Sequence, residues 1–223
     1  MTQPLKLTGI RGMIAKKMHE SVQSTAQLSF FTDVDASALT AARAAWKAAD
    51  IRIGYEDLVI ATLGRILPAF PLFNALEADG VITPQAEINV GVAIALPGAL
   101  VAPAVFDCAN KDLPTIAAER ASLVERAAIN KLTVREMSGG TINISNLGLT
   151  RVRHFTPILN RPMTCIVGLG RIAPEPAVVD GALAIRPVMG LSLTVDHRAI
   201  DGAPAGDFLT ALADALEASH PIP

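Results

Sequence analysis

The sequence predicts an α+β fold in which helices flank one large mixed β-sheet. Segments of strand length, rich in apolar and β-branched residues, are interspersed with amphipathic helical segments. These segments do not follow the strict strand and helix alternation of a doubly wound fold, which favours α+β over α/β. Apolar residues make up 51% of the 223 residues, enough for one large core, and no internal repeat or linker divides the chain. We therefore expect residues 1–223 to form a single domain.

The individual elements are predicted from hydrophobic periodicity and from residues that favour helix starts and turns. The first helix is expected to pack on the core through Ile10, Met13, Ile14, Met18 and Val22. In chain order, the expected elements are a helix after Thr8, a strand over 27–35, a helix from Ser37 to about Ala49, a helix over 55–70, two strands over 88–95 and 100–106 joined by a turn at Pro97 and Gly98, a helix from Asp112 to about Asn130, a strand over 141–145, strands over 163–169 and 183–195, and a closing helix that contains 207–216.

The composition excludes several classes of protein. Lys and Arg number 19 against 21 Asp and Glu, which gives no electrostatic case for binding nucleic acid or an anionic membrane. No apolar run reaches the roughly 18 residues that cross a bilayer, and no signal-peptide pattern is present, so we expect a soluble, cytoplasmic protein. Cys108 and Cys165 lie singly in apolar segments and are expected to be buried free thiols. The four histidines are scattered without ligand spacing, so no metal site is expected.

The most informative stretch is residues 191–202, where an apolar run ends in a histidine followed four residues later by an aspartate. Leu191–Val195 is predicted to be a buried strand, and Asp201 and Pro204 suit the start of a helix. His197 then lies where a strand ends, at the edge of the core. An imidazole titrates near neutral pH, so His197 is a candidate general base, with a purely structural histidine as the alternative.

Other sequence patterns support neither a nucleophilic serine nor a dinucleotide site. Ser145 does not lie in a G-x-S-x-G motif, so a nucleophile elbow has no support. The glycines of 168–170 are followed by prolines where the helix of a dinucleotide-binding motif would begin.

Several ordered motifs resemble the catalytic domain of the dihydrolipoamide acyltransferases of 2-oxo acid dehydrogenase complexes. The most specific is DHRAIDG at 196–202, preceded by TINISNLG at 141–148 and FTPILN at 155–160. The resemblance covers nearly the whole chain, with further matches at 7–11, 31–35, 100–105 and 131–133. So many matching segments in the same order are very unlikely to arise by chance.

The resemblance implies a chloramphenicol-acetyltransferase-like fold and a homotrimer with active sites between subunits. It also implies acyl transfer between dihydrolipoamide and coenzyme A, which is a substrate, with the lipoyl group supplied by another domain or chain. Other components of a dehydrogenase complex are the expected partners. Residues 155–157 and 201–205 look more like the acetyl-transferring, pyruvate dehydrogenase-like members than the succinyl-transferring ones.

The same resemblance implies roles for individual residues. His197 matches the general base that takes the thiol proton, and Ser145 matches the hydroxyl that donates to the tetrahedral oxyanion. The alternative for Ser145 is a serine at a strand end that satisfies a turn. Asp201 matches a supporting aspartate that pairs with an arginine, for which Arg11 is the fitting position.

Phe155 and Thr156 match the lining of the coenzyme A channel, with ordinary strand packing as the alternative.

Three departures from the family pattern affect these expectations. Residues 149–154 replace a glycine-rich stretch, and Arg151 and Arg153 there could favour an anionic acyl group or coenzyme A phosphates, or simply be solvated. No lipoyl domain or peripheral-subunit-binding domain precedes Met1, so we expect either an excised core or a protein that acts alone. The end at 219–223 differs from the apolar tail that joins trimers into cages, so we expect a trimer and leave a larger cage open.

Two other functions stay open at this stage. One is a free-standing acetyltransferase that acts on a small-molecule acceptor, which the missing lipoyl domain favours. The other is a non-catalytic trimeric scaffold, which the retained histidine, serine and aspartate disfavour.

Overall fold

The computed structural model describes residues 6–179, 181–218 and 220. Six helices and ten strands make up the regular structure of this part. The helices are α1 (Gly9–Ser24), α2 (Ser37–Ala48), α3 (Tyr55–Ile66), α4 (Leu113–Ala128), α5 (Val134–Ser138) and α6 (Gly202–Glu217). The strands are β1 (Gln27–Asp35), β2 (Ala75–Ala78), β3 (Val81–Pro84), β4 (Val90–Val92), β5 (Ile94–Leu96), β6 (Ala99–Val101), β7 (Ala104–Val105), β8 (Ile142–Asn146), β9 (Cys165–Val179) and β10 (Ala182–Asp196).

A mixed six-stranded sheet with the order β1-β10-β9-β8-β4-β7 dominates the molecule. Its pairs β1–β10, β10–β9 and β4–β7 are antiparallel, whereas β9–β8 and β8–β4 are parallel. Two further pairs, β2–β3 and β5–β6, form separate two-stranded sheets. The predicted α+β class with a large mixed sheet flanked by helices is therefore confirmed.

The two faces of the sheet have different roles because side chains alternate along each strand. On one face, Leu191, Leu193 and Ile144 are fully buried in the core, with Phe208 of α6 and Leu63 of α3 in the same cluster. The opposite face carries small and polar residues from the same strands. Such a face leaves room for a cavity, whereas the other is closed by helices.

Several predicted boundaries differ from the observed ones. The predicted hairpin over 88–106 is divided, because β4 and β7 pair within the main sheet while β5 and β6 form a separate hairpin beyond it. The predicted helix over 55–70 ends at Ile66 and continues as a 3₁₀ turn, since Pro68 cannot continue an α-helix. The strands predicted at 163–169 and 183–195 extend into a long antiparallel arm, β9 and β10.

The apolar side of α1 only partly covers the rest of the chain. Ile14 and Met18 line a cavity on the polar face of the sheet. Ile10 and Met13 are 58% and 65% exposed, so the predicted packing of this whole helix face on the core is wrong within one chain.

Cys108 and Cys165 are both buried and free, as predicted. Burial raises the pKa of the Cys108 thiol to about 11 and also raises that of Cys165. Both thiols are therefore protonated at neutral pH and behave as small apolar groups.

Within the described ranges, no helix is both long and apolar enough to span a membrane. The same residues contain no group of three or more His, Cys, Asp or Glu arranged to hold a metal ion.

Candidate active site

His197 lies in a tight turn that connects the buried end of β10 to α6. Its peptide N–H donates to the carbonyl oxygen of Ala26 at 2.7 Å, which joins the turn to the chain just before β1. The N–H groups of Ala199 and Ile200 donate to the Asp196 carbonyl oxygen at 2.9 and 3.0 Å. These backbone hydrogen bonds hold the turn. The His197 side chain itself is 46% exposed, so the imidazole lies at the molecular surface.

Asp201 stands at the predicted helix start, but its carboxylate does not cap the helix. Its backbone is extended, with φ −78° and ψ 170°, and α6 begins at Gly202. The carboxylate makes no capping hydrogen bond; its Oδ1 lies 3.5 Å from Nδ1 of His197. The expected N-cap role is therefore wrong for the Asp201 side chain, which lies beside the imidazole instead. A carboxylate beside Nδ1 favours the tautomer in which Nε2 is the basic nitrogen.

Two buried carboxylates and two arginines hold the histidine turn. The Arg198 guanidinium donates to both carboxylate oxygens of Asp196, at 2.6 to 3.0 Å, and to Oε2 of Glu77 at 3.2 Å. Arg161 donates to the same Glu77 oxygen at 2.5 Å. Oδ1 of Asp196 also accepts the Ala26 N–H at 3.2 Å. This network connects the histidine turn to the β2–β3 hairpin and to the start of β1.

The ionisation of these groups follows from their hydrogen bonds. The Gly80 N–H lowers the pKa of Glu77 most, and hydrogen bonds from Arg161 and Arg198 lower it further against the opposing effect of burial. Burial acts to raise the pKa of Asp196, but hydrogen bonds led by that of Arg198 hold it below its usual range. Asp196 in turn raises the pKa of the Arg198 guanidinium. The turn is therefore held by groups that stay charged at neutral pH.

Ser145 lies near the end of β8, on the polar face of the sheet, and lines a cavity of about 430 Å³. Among the described residues its hydroxyl has no hydrogen-bond partner. The turn after β8 is satisfied instead by Asn146, whose Oδ1 accepts the Gly148 N–H at 2.7 Å. The alternative of a serine that satisfies a turn is therefore wrong. Besides Ser145, the cavity is lined by Ile14, Lys17, Met18, Ala93, Leu100, Val101, Ala102, Met137, Asn143, Phe155, Pro157, Ile158, Asn160 and Ile166.

Phe155 forms part of the cavity wall next to Ser145. Its ring lies over Gly168, where an added Cβ would come within 2.9 Å of the ring. Gly168 is the register partner of Ser145 across the β8–β9 pair, so the missing side chain places the ring beside the serine. Thr156 is exposed and does not line the cavity. Binding of coenzyme A by Phe155 and Thr156 stays a prediction.

Ser145 and His197 are far apart within one chain. Ser145 is opposite Gly168, which is opposite Ser192, and His197 follows Ser192 by five residues. Two strand spacings and five residues along β10 amount to a separation on the order of 20 Å. A substrate carbonyl cannot contact both groups at that distance, so one chain alone does not assemble them.

The ion pairs that hold the histidine turn differ from the Arg11–Asp201 pair expected from the sequence. Within the described part of the chain, Arg11 is exposed and makes no ion pair with Asp201. The turn is held by Arg198 and Glu77, which the sequence reasoning did not single out. Arg198 could have been found, since it directly follows the histidine in the motif. Glu77 could not, because its hairpin over 75–84 was not predicted.

Arg153 is engaged in ion pairs with Asp33 and Glu175, each at 2.7 Å. It is therefore not a free cation beside the serine. Arg151 is exposed and has no ion pair among the residues that the structure describes. Of the alternatives for these two arginines, solvation or anion binding stays open for Arg151 alone.

The family described as 2-oxoacid dehydrogenases acyltransferase (catalytic domain) matches residues 2–222. The chain is 31% identical over 217 residues to the dihydrolipoyllysine-residue succinyltransferase component of the 2-oxoglutarate dehydrogenase complex of Haemophilus influenzae, covering 95% of this chain and 53% of that protein. It is 36% identical over 211 residues to the dihydrolipoyllysine-residue acetyltransferase component of the pyruvate dehydrogenase complex of Bacillus subtilis, covering 92% and 48%. The chain thus spans about half the length of these curated relatives.

Solved structures share the fold. The dihydrolipoamide acetyltransferase of Azotobacter vinelandii superposes with a TM-score of 0.92 at 31% identity, covering 97% of this chain and 92% of that one. The cubic core of a pyruvate dehydrogenase multienzyme complex gives 0.92 at 30% identity with the same coverage. Chloramphenicol acetyltransferase, at 19% identity and a TM-score of 0.57 over 97% of this chain and 98% of that one, shares the fold alone.

In the Azotobacter enzyme, a serine, a histidine and an asparagine were investigated for their role in the catalytic mechanism. The histidine follows the serine by 52 residues, and the asparagine follows the histidine by 4. Ser145, His197 and Asp201 have the same spacing. With a family match over almost its whole length and the fold of solved members, the chain belongs to the 2-oxoacid dehydrogenase acyltransferases, as a catalytic domain of that family.

Proposed function

We propose that the chain transfers an acyl group between coenzyme A and dihydrolipoamide, with His197 as general base and Ser145 as donor to the oxyanion. The observation that carries the proposal is the free Ser145 hydroxyl in an apolar cavity, at the same spacing from His197 as the serine and histidine of the Azotobacter acetyltransferase. Coenzyme A and the lipoyl group are both substrates here, and the lipoyl group comes from another domain or chain.

The reaction needs no covalent intermediate on the protein. Nε2 of His197 takes the proton of the attacking thiol, and the thiolate adds to the carbonyl carbon of the thioester. The tetrahedral oxyanion accepts a hydrogen bond from the Ser145 hydroxyl. When the intermediate collapses, the carbon–sulfur bond to the departing thiol breaks, and that thiolate takes the proton back from His197. Asp201, 3.5 Å from Nδ1, favours the tautomer in which Nε2 can accept that proton.

The active site is proposed to form between two subunits of a homotrimer. Two features of the chain support this. The first is the separation of His197 and Ser145, on the order of 20 Å within one chain. The second is the large apolar side chains left exposed on the β9–β10 arm, where Val178, Leu183 and Ile185 are 75% to 80% exposed.

One solved relative forms the cubic core of a pyruvate dehydrogenase complex. The larger assembly to test for is therefore a cage built from trimers. The chain end at 219–223, on which that expectation depends, lies outside the described residues except for His220.

The test is transfer of an acyl group from acyl-coenzyme A to free dihydrolipoamide, measured through the coenzyme A that the transfer releases. We expect turnover that requires both the acyl-coenzyme A and the dihydrolipoamide, and that His197→Ala abolishes. Absence of transfer from every acyl donor tried, with the oligomer intact, would instead support the scaffold. Transfer to small amines or alcohols but not to dihydrolipoamide would support the free-standing acetyltransferase.

The acyl group is not fixed by family membership, because relatives named as succinyltransferases and as acetyltransferases match the chain at similar identity.

A further inference from the structure

Asn143 is a buried amide without a partner in the cavity that contains Ser145. Its side chain lines this cavity, and the residue is only 2% exposed. Its Oδ1 is fully buried against Gly91, which leaves the amide nitrogen Nδ2 to face the cavity, and Nδ2 has no hydrogen-bond partner among the described residues. Leaving a buried amide unpaired is costly, so such groups in proteins usually have a partner. Because Nδ2 is a donor, the partner expected for Asn143 is a ligand with an acceptor oxygen.

The backbone around Asn143 is shaped to hold this side chain. Gly91 is its register partner on β4, and a Cβ added there would lie 1.9 Å from Oδ1. A Cβ at Gly140 would lie 3.6 Å from the same oxygen. Only a residue without a side chain at 91 allows the amide to lie flat against the strand. The orientation of the amide is thus fixed by packing.

The position of Asn143 relative to Ser145 indicates which part of a substrate it contacts. The two residues are neighbours on the same face of β8, about 6.6 Å apart along the strand. Coenzyme A and the lipoyl arm must both enter from solvent and leave again. Asn143 is more deeply buried than Ser145, so the space beside it belongs to the group that points inward, which is the acyl chain.

The length of the acyl chain follows from this spacing. From its carbonyl carbon to its terminal oxygens, an extended four-carbon chain with a terminal carboxylate measures about 5 Å. It would place an oxygen near Asn143 while Ser145 holds the carbonyl oxygen. An acetyl group ends about 1.5 Å beyond its carbonyl carbon and would leave the amide without a partner.

The charge of the cavity suits an anionic acyl group. Its lining includes no aspartate or glutamate among the described residues, and Lys17 is the single charged residue. The neighbouring Lys16 pairs with Glu20 at 3.7 Å, whereas Lys17 has no ion pair in the described part of the chain.

We propose that Asn143 is a specificity-determining residue whose Nδ2 donates a hydrogen bond to the terminal carboxylate of a dicarboxylic, succinyl-like acyl group, in place of the acetyl group expected from the sequence. The inference rests on the proposed acyl transfer and names its substrate class. Lys17 contributes a favourable charge at the same cavity. Gly91 provides the space that the amide occupies.

The test compares succinyl-coenzyme A with butyryl-coenzyme A as donors to dihydrolipoamide. The two acyl groups have the same chain length and differ in a carboxylate against a methyl group, and contacts to coenzyme A cancel in their ratio. We expect kcat/KM of the natural chain to favour succinyl by at least about 10-fold. Asn143→Leu, which keeps the size but removes the amide, should lower this ratio by at least about 10-fold. Asn143→Asp should lower it as well, because two carboxylates repel.

Matched variants make the result specific. Asn110→Leu changes an exposed asparagine outside the cavity and should leave the ratio unchanged. Lys17→Gln should lower the ratio a few-fold, whereas Lys16→Gln should not. A ratio that is the same in the natural chain and in Asn143→Leu and Asn143→Asp would overturn the role of Asn143, even with transfer intact. If neither donor supports transfer, the proposed function itself fails.

Discussion

At the scale of single residues, the proposed chemistry divides between an exposed imidazole and a hydroxyl that has no partner in the described chain. His197 is presented by a turn whose backbone bonds and ion pairs involve buried groups, so its backbone position is fixed although its side chain is half-exposed. Ser145 is fixed by its strand and leaves its hydroxyl for a ligand. The backbone positions of both residues are therefore held by the fold, and preorganisation of this kind favours a large contribution to catalysis.

Replacing either group should remove activity without unfolding the protein. His197→Ala should lower turnover by at least about 100-fold, because it removes the imidazole proposed to take the thiol proton. Ser145→Ala should lower it by about 100- to 1,000-fold, the usual effect of losing one oxyanion donor. Steady-state transfer assays check the losses, and circular dichroism checks the fold. Near-normal turnover in either variant would contradict its assigned role.

Glu77 is expected to act as a positioning residue through Arg198. Glu77→Gln removes the negative charge that holds Arg198 and Arg161, which loosens the turn next to the imidazole. We expect kcat to fall about 10-fold with KM nearly unchanged, because substrate contacts are untouched while the base loses its alignment.

The matched control for Glu77→Gln is Glu87→Gln, an exposed glutamate outside this network, which should behave like the natural chain. A purely structural role of Glu77 would lower the melting temperature without this separation of kcat from KM.

At the scale of elements, strands and helices with strong periodicity could be predicted from the sequence. The strand over 27–35 was predicted at its observed bounds, and the helices starting at Ser37 and after Asp112 were found within two residues of their ends. The β2–β3 hairpin was missed because four-residue strands carry too little periodicity. The division of 88–106 between two sheets depends on pairing with β8, which local sequence does not encode.

The short helix α5 was also missed, yet it has a clear stabilising device. Thr133 and Glu136 form a capping box, in which the Thr133 Oγ1 accepts the Glu136 N–H at 3.2 Å and the Glu136 carboxylate accepts the Thr133 N–H at 2.8 Å. Glu136 also pairs with Arg126 of α4 at 2.7 Å. These contacts hold Met137 in the wall of the cavity.

The stability contributed by Glu136 should depend on pH. The Arg126 guanidinium, together with the Thr133 N–H, lowers the pKa of Glu136 from 4.5 to about 2. A lowered folded-state pKa means that the contribution is complete above about pH 4.5 and is lost as the pH falls through about 2. Glu136→Gln should therefore destabilise the protein at pH 7 by up to about 1 kcal/mol, because glutamine keeps the capping-box acceptor but loses the ion pair with Arg126. Urea unfolding should show this difference narrow toward pH 2.

An exposed glutamate on the neighbouring helix, changed in Glu125→Gln, provides the control for that experiment. A difference between the natural chain and Glu136→Gln that stays constant from pH 7 to pH 2 would contradict the ionic origin of the effect.

At the scale of the whole molecule, the parts of the site could be predicted from the sequence, but their arrangement could not. The roles of His197 and Ser145 came from a resemblance of motifs, whereas their separation follows from strand register, which is a property of the folded sheet. The ion pairs of Glu77 with Arg161 and Arg198 also depend on contacts between residues distant in sequence. The unpaired amide of Asn143 became visible only when its surroundings were known.

The most direct test of an active site shared between subunits is complementation between two inactive variants. His197→Ala supplies an intact serine and Ser145→Ala an intact histidine. In randomly mixed trimers from equal co-expression, one site in four should join an intact His197 to an intact Ser145 of the neighbour. We therefore expect about a quarter of the natural activity, although each variant alone is nearly inactive. Mixed trimers that stay as inactive as the separate variants would contradict the shared site.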